Sequence, residues 1–496
     1  MNPGDIRTSA YQGVKWAAVA SYSTRLVRLA VLFVMMGLLG PEEFGLLGIA
    51  SIVLAITSNF SELGVGQALI WHRGKHSDRD PALAMDTGLI LVMALNLTVI
   101  ALMMAGAPLI SAFFQEPRAT PVTRVLLIGL FLSTLTIVPR SMLERNLQFK
   151  AAVWPEVLPG IVSGLVSIPL AIVWRSVWAL VAGQMVSYAL RLALYWWTAR
   201  WRPRLRFDRE TCREMLGFGL SVLGASLIAT VGGIFPPAVI GREVGTEALG
   251  VFNNAEKISA FPFFAIIYVV GRVMFPVYSR LREDSGSLRT AVAEAIKLIA
   301  VASVPLCIGG AVIFPALELQ LFDGKWHEMY VPLLILMLYV LQRSVGSVTG
   351  DVLKAVGRPN LIQLLTLLRV GVTIPAVLAG VWLAGLNGAA LGMLLAGTVS
   401  LVAELRIQRR FVNLGVAAVA DAVKVPVAAG CLSAAVAAAF TSPWLFGPTP
   451  AGLIGGVASG ALVYLWALAH FERSLLRDVH ASIFGKRATA AAVLTP

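Results

Sequence analysis

The chain has 496 residues, 57% hydrophobic and 14% charged, with a formal net charge of +13 and a mean hydropathy of +0.79. Soluble proteins carry about 25% charged residues, so a soluble enzyme, a disordered chain and a disulfide-rich secreted domain are excluded. Long unbroken apolar runs, in place of alternating segments of about ten residues, exclude a membrane β-barrel and leave an all-α polytopic membrane protein.

Apolar runs bounded by charge, Pro or Gly predict fourteen transmembrane helices. They fall at 14–39, 44–70, 83–113, 121–142, 150–174, 177–198, 213–241, 247–277, 288–315, 329–353, 360–384, 388–405, 419–441 and 449–471. The first run is too long for a signal-peptide core and has no small-residue cleavage site, so it reads as a span. The longest connection, rich in arginine from Arg200 to Arg206, follows the sixth span. The expected organisation is therefore two pseudo-symmetric six-helix lobes, 1–199 and 213–411, joined by a cytoplasmic loop at 200–212. Two further helices and a cytoplasmic tail occupy 412–496.

The loops set the orientation. With a cytoplasmic N-terminus, inside segments hold 26 Lys and Arg, and outside loops hold 4: Arg118, Arg175, Arg242 and Lys325. Cytoplasmic loops of membrane proteins are enriched in this way, so both termini are expected in the cytoplasm and the protein in a bacterial cytoplasmic (inner) membrane. The positive charge is mainly topological, and nucleic acid is not an expected partner. Cys212, Cys307 and Cys431 are scattered, without disulfide or metal spacing.

An internal repeat supports the lobe boundary. Residues 40–50 align without gaps with 245–255, pairing Gly40 with Gly245, Glu42 with Glu247, Gly45 with Gly250 and Ala50 with Ala255. Both segments join an odd span to an even one on the outer face. The repeats are therefore parallel, related by an axis along the membrane normal.

Ten basic residues lie within or at the ends of spans: Arg25, Arg28, Arg124, Arg191, Lys257, Arg272, Lys297, Arg343, Arg369 and Lys424. Charge inside a membrane is costly and marks a pathway by default, although Arg124 and Arg191, near helix ends, fit snorkelling. Arg25 and Arg28 lie too deep to snorkel, and their i, i+3 spacing puts them on one face beside Ser21 and Thr24. Guanidinium forks match phosphate oxygens and stay charged, so this pair reads as an anion site in a water-filled cavity, or as an internal cluster with Glu62. Arg272 is placed to face that cavity from the second lobe. Lys257 with Asn253 and Asn254 forms another polar cluster, and Arg343 and Arg369 are further lining candidates. Glu62, Glu256 and Asp351 are the acidic candidates for ion coupling. No phosphate-binding G-x-x-x-x-G-K-[ST] loop occurs, so ATP hydrolysis is not expected. His72 and His76 lack the glutamate of a zinc motif, and neither cofactor nor metal is expected.

Several segments resemble the WzxC-like polysaccharide flippases of the multidrug/oligosaccharidyl-lipid/polysaccharide exporter (MOP) superfamily. They are Gly40-Pro-Glu-Glu-Phe-Gly-Leu, Phe60-Ser-Glu-Leu-Gly-Val-Gly-Gln-Ala-Leu and Pro139-Arg-Ser-Met-Leu-Glu-Arg-Asn-Leu-Gln-Phe-Lys. Val177-Trp-Ala-Leu-Val-Ala-Gly-Gln, Leu249-Gly-Val-Phe-Asn-Asn-Ala and Arg272-Val-Met-Phe-Pro-Val-Tyr-Ser-Arg follow in the family's order. The resemblance implies two lobes, alternating access, and a polyprenyl-pyrophosphate-linked oligosaccharide moved between leaflets, with polysaccharide polymerase or export machinery as further partners. In the related lipid II flippases first-helix arginines line a cationic cavity, and Arg25 and Arg28 occupy comparable places. The second-helix arginines of those flippases are missing here, where Thr57-Ser58-Asn59 stands; Arg272 is the candidate to compensate.

The reading from residues alone is a secondary transporter of an amphiphilic anion, with no enzyme activity of its own. A drug or cation antiporter of the same superfamily is the alternative, opposed by the basic interior. A membrane glycosyltransferase or polymerase is opposed by outer loops of about ten residues or fewer. Topology is directly testable: single cysteines replacing Asp323 and Arg206 should be labelled from opposite sides of the membrane. Labelling from one side would overturn the span order and the lobe boundary.

Overall fold

The computed structural model describes residues 22–62, 64–71, 81–442 and 445–472. Both chain ends lie outside these residues, and so do His72 and His76. The described residues are helical, with no strand among them. Helix α1 covers 22–38. It is followed by α2 (Pro41–Glu62), α3 (Val65–Trp71), α4 (Pro81–Phe113), α5 (Ala119–Thr134), α6 (Ile137–Arg145), α7 (Phe149–Trp174) and α8 (Val177–Ala199). Then come α9 (Arg209–Glu243), α10 (Thr246–Leu281), α11 (Ser285–Val304), α12 (Gly310–Phe322), α13 (Tyr330–Ala355), α14 (Asn360–Val412), α15 (Val416–Thr441) and α16 (Pro450–Phe471).

Among the described residues, ten stretches are long and apolar enough to cross a membrane. The 53-residue α14 breaks at Ala384 and Gly385, the latter at φ +54, so one stretch holds the two spans expected at 360–384 and 388–405. A left-handed backbone at that break suits glycine. The expected seventh and eighth spans are α9 and α10, helices of 35 and 36 residues that are not among the ten. Outward-facing Trp197, Trp382 and Leu383 are 75%, 77% and 87% exposed, apolar surface that a bilayer solvates and water does not.

The chain packs as two compact units. One comprises Met1–Asn254 with Val370–Gly392, the other Ala255–Arg369 with Met393–Pro496.

In the first unit the two copies of the repeat pack against each other. A Cβ on Gly45 would lie 1.9 Å from the Thr246 carbonyl oxygen, and a Cβ on Gly250 would lie 1.9 Å from the Pro41 carbonyl oxygen. Pro41 and Thr246 are themselves repeat partners, so the contact is reciprocal, as a two-fold axis requires. The motif carboxylates clasp the same end of the unit. Glu43 accepts from the Val177 N–H at the start of α8, and Glu42 pairs with Arg118. Arg118 also binds Glu116 at 2.9 Å, and that hydrogen bond holds the Glu116 carboxyl below the usual range.

The arginine-rich connection after α8 is strapped down. Asp86, 1% exposed on α4, accepts from the Arg204 N–H at 3.0 Å and from Arg206 Nε at 2.9 Å. Thr87 Oγ1 accepts from the Asp208 N–H at 3.0 Å, and Asp208 then caps α9 through the Thr211 N–H. Trp201 packs 5.7 Å from Trp196, beside a core that includes Val65, Met85 and Met215.

In the second unit, Tyr278, Val292, Ile296, Val352 and Leu414 share a core. Buried Glu318 folds the turn between α12 and α13 by accepting from the Trp326 N–H and the Tyr330 hydroxyl, both at 2.7 Å. Lys297 pairs with Glu472, tying the end of α16 to α11.

Two measurements check this packing. Gly45→Ala or Gly250→Ala should cost about 1–3 kcal/mol through overpacking and lower the melting temperature. Gly350→Ala, with open space around it, should not, and equal losses at all three would contradict the crossing. Arg206→Ala should cost about 3 kcal/mol, because it strands a buried carboxylate. Arg204→Ala should be nearly silent, since Asp86 holds Arg204 by its backbone; proteolysis within 200–208 reads the difference.

Candidate functional site

Helix α1 is seated on α7 at Gly164, with Gly160 in ordinary contact one turn earlier. A Cβ on Gly164 would lie 2.5 Å from Val31, and one on Gly160 would lie 3.9 Å from Val27. Thr24 Oγ1 donates to the Glu156 carbonyl at 3.3 Å. Positions 24, 27 and 31 therefore face α7, and Arg28, one turn after Thr24, is turned to the same side. Arg25 lies about 100° around the helix from Thr24; both arginines keep exposed surface.

Helices α7 and α8 form a tight hairpin, because a Cβ on Gly183 would fall 1.8 Å from Ser167 Oγ. That closeness brings Glu156 of α7 onto two side chains of α8. Its Oε1 accepts from the buried Tyr195 hydroxyl at 2.5 Å, and its Oε2 lies 3.9 Å from Arg191 Nη2. Arg140 of α6 binds Glu144 at 2.9 Å. Arg191, Glu156 and Arg25 are the charged groups that interact with Arg28, with the Tyr188 phenol beside them.

These groups border a polar cavity of about 130 Å³ whose walls include Ser58, Ser61, Arg140, Glu156, Arg191 and Tyr195. Buried Ser61 Oγ and Arg191 Nε have no hydrogen-bond partner among the described residues. Arg28, Arg140 and Arg191 outnumber Glu156 and its neighbour Glu144, so the assembly attracts anions, and its donors are charged forks suited to phosphate oxygens.

The remaining candidates distribute as follows. Arg343 and Arg369 come together in the second unit, around Glu404 of α14. Arg343 lies over the Phe263 and Tyr339 rings, 4.6 and 5.6 Å from their centroids. Asn253 Nδ2 sits against Gly48. Asn254 is fully buried, and both of its amide atoms lack a partner among the described residues. Lys257 is exposed and Glu256 half-buried. Asp351 pairs with Lys354 at 3.1 Å and lies against Gly271. The side chains of Glu62 and Arg272 lie outside the described residues.

Arg191 departs from the snorkelling reading, since its side chain is 19% exposed and turned toward Glu156. The sequence reading also passed over Glu156, Tyr195, Arg140 and Glu404. A signal for two of these was present. Glu156 and Arg369 are 213 residues apart, and so are Arg191 and Glu404. The helix ends agree: α8 stops at a left-handed Arg200 (φ 48) and α14 at a left-handed Asn413 (φ 56), again 213 apart. The two repeats thus hold an acid–base pair at matching depth on matching helices, with the charges exchanged.

Comparison with known proteins agrees with this architecture. A family model described as polysaccharide biosynthesis protein matches residues 34–331. The lipopolysaccharide biosynthesis protein WzxC of Escherichia coli (strain K12) is 23% identical over 405 residues, 80% of each chain. The succinoglycan biosynthesis transport protein ExoT of Rhizobium meliloti (strain 1021) is 24% identical over 96% of each chain. Among solved structures, the lipid II flippase MurJ in an inward closed conformation superposes with a TM-score of 0.76 at 12% identity, covering 93% of this chain and 99% of that one. The chain belongs to the polysaccharide biosynthesis protein family and has the MurJ-like transporter fold.

Proposed function

We propose that the protein flips a polyprenyl-pyrophosphate-linked oligosaccharide from the inner to the outer leaflet of a bacterial cytoplasmic membrane, by alternating access and without catalysing a reaction. The observation that carries this reading is the arginine-rich cavity of the first unit, where guanidiniums exceed carboxylates and face hydroxyl-bearing walls. A bare pyrophosphate cannot cross hydrocarbon, and guanidiniums in excess of their carboxylates are themselves costly among membrane helices. Each offsets the desolvation of the other. Arg28, with Arg25 beside it and Arg140 and Arg191 on the cavity side, holds the pyrophosphate; the serines and threonines give the sugars polar contacts, and the prenyl chain stays in lipid. Relatives named for lipopolysaccharide and succinoglycan biosynthesis support the cargo class. An ion gradient or the membrane potential supplies the drive, since a charge moved through the potential gains about 2.3 kcal/mol per 100 mV.

A charged hydrogen bond contributes about 1.5–3 kcal/mol, so each lost guanidinium should weaken cargo binding about ten- to a hundredfold. Arg28→Ala and Arg191→Ala should abolish export and accumulate lipid-linked oligosaccharide at the inner leaflet, with normal membrane levels of protein. Lysine at either position should rescue only in part, because it keeps charge but loses the fork. Normal export by both alanine variants would remove this cavity from the transport path.

A further inference from the structure

The strap between α8 and α9 has an inner and an outer face. Trp201, Pro203, Arg206 and Asp208 turn inward, where Trp201 meets Trp196 and Asp86 takes Arg206. Arg200, Arg202, Arg204, Leu205 and Phe207 turn outward, with Leu205 and Phe207 73% and 55% exposed. We propose that this outer face is a docking site for an anionic phospholipid of the adjoining leaflet. The guanidiniums bind its phosphodiester, and Leu205 and Phe207 meet its acyl chains.

The first argument is depth. The α7–α8 hairpin exposes tryptophans at two levels, Trp154 and Trp197 at one end and Trp174 and Trp178 at the other. Tryptophan gathers at the two membrane–water interfaces. Trp154 and Trp174 stand 20 residues apart in one helix, a rise of about 30 Å that equals the thickness of the hydrocarbon core. Arg200 follows Trp197 by three residues, so the strap begins at headgroup level. Asp86 and Thr87 of α4 then hold its middle across the same end of the unit.

The second argument is the chemistry of the outer face. Five arginines and two acids lie between 200 and 210. Arg206 is taken by Asp86, Asp208 caps α9, and Glu210 is engaged as well. The side chains of Arg200, Arg202 and Arg204 have no ion pair or hydrogen bond among the described residues. Guanidinium forks match phosphodiester oxygens, and basic side chains at an anionic leaflet add to the attraction. The backbone is shaped for this segregation. Side chains alternate inward and outward from Trp201 to Arg204, and Leu205 breaks the alternation at φ 33. A leucine adopts that left-handed backbone only at a cost. The break lets Arg204 and Leu205 both face outward and still returns Arg206 to Asp86.

The strap is pinned before a lipid arrives, so docking costs little ordering entropy. A soluble phosphate has only screened surface charges to hold it, whereas a phospholipid also covers the apolar pair, which water solvates poorly. None of the outward residues borders the cavity assigned to the cargo, so the two readings stand or fall separately.

The test uses the full-length protein purified in an uncharged detergent at constant ionic strength. Dioctanoyl phosphatidylglycerol is titrated in, with dioctanoyl phosphatidylcholine and glycerol phosphate as comparisons, and amide hydrogen exchange across 200–208 is followed. Phosphatidylglycerol should slow exchange saturably, and the other two should not. Arg202→Gln and Arg204→Gln should each raise the half-saturating concentration about fivefold, the share of one basic residue at an anionic surface. Phe207→Ser should weaken binding too. Asp86 holds Arg204 by its backbone, so Arg204→Gln should leave exchange without lipid unaltered. Arg175→Gln removes an exposed charge at the opposite end of the hairpin and should change nothing. Arg28→Gln should keep the response even where export fails. Equal protection by phosphatidylcholine, equal binding of glycerol phosphate, or an equal loss in Arg175→Gln would overturn the proposal. Protection that needs no lipid and grows with protein concentration would assign the outer face to a second copy of the chain, and would overturn it as well.

Discussion

The cost of holding charge away from water governs the interior of this molecule. A guanidinium among membrane helices must find a carboxylate, an anion or water, and the described clusters divide by how that need is met. Asp86 with Arg206, Asp351 with Lys354, and Lys297 with Glu472 are acid–base pairs. Each is neutral and each ties two chain segments or two turns together. Around Glu156, arginines outnumber acids. A neutral pair is complete in itself. A cluster with surplus positive charge is complete only with a further anion, and in a transporter that anion is free to be the cargo or a counter-ion. Stoichiometry of charge, more than the presence of charge, separates the clusters that hold the fold from those that can bind.

Small residues decide where the charges can stand. Gly164 lets Val31 approach α7 and so fixes the phase of α1. Gly183 draws α8 onto α7 until Tyr195 and Arg191 reach Glu156. On α13 the missing side chain of Gly346 is the space that the Glu404 carboxylate occupies. Helices in lipid have little hydrophobic drive to associate, and close packing at small residues replaces it. Packing and electrostatics are thus one design: the glycine positions set the separations at which an acid on one helix meets a base on the next.

Much of the architecture could be read from residue order. Apolar runs are long, charges alternate sharply between loops, and the pairing of Gly45 with Gly250 describes a contact made in space. Arg28 stands out in the sequence as a charge in mid-span, and the structure turns it to the side of α1 that meets α7. Glu156 and Glu404 do not stand out in this way, although they lie at the centre of their clusters. Each sits about two turns from one end of a long helix, where a charge has the ordinary meaning of a headgroup contact. Only the rotation of one helix against another shows that they point inward, and rotation is set by glycine contacts distant in sequence. Arg140 was hidden for a similar reason. It lies in a basic motif that orientation alone explains, and its side chain nevertheless borders the cavity. The strap at 200–208 reads as an exposed arginine-rich loop, because the residue that anchors it, Asp86, is more than a hundred positions away.

The exchange of charge between the repeats follows from the same electrostatics. An acid on α7 facing a base on α8 has the same net charge as a base on the first half of α14 facing an acid on the second half. The requirement concerns the sum at a given depth, and either helix can supply either sign. What the repeats keep is the depth of the pair and the addition of an arginine from the preceding helix, Arg140 in one case and Arg343 in the other. What they change is the rest of the wall. Serines and threonines line the larger cavity, whereas the smaller one combines Ser347 and Ser400 with the ring of Phe263. Charge makes the first unit's cavity receptive to an anion, and its hydroxyl-bearing wall adds polar contacts that a phosphate group alone would not need.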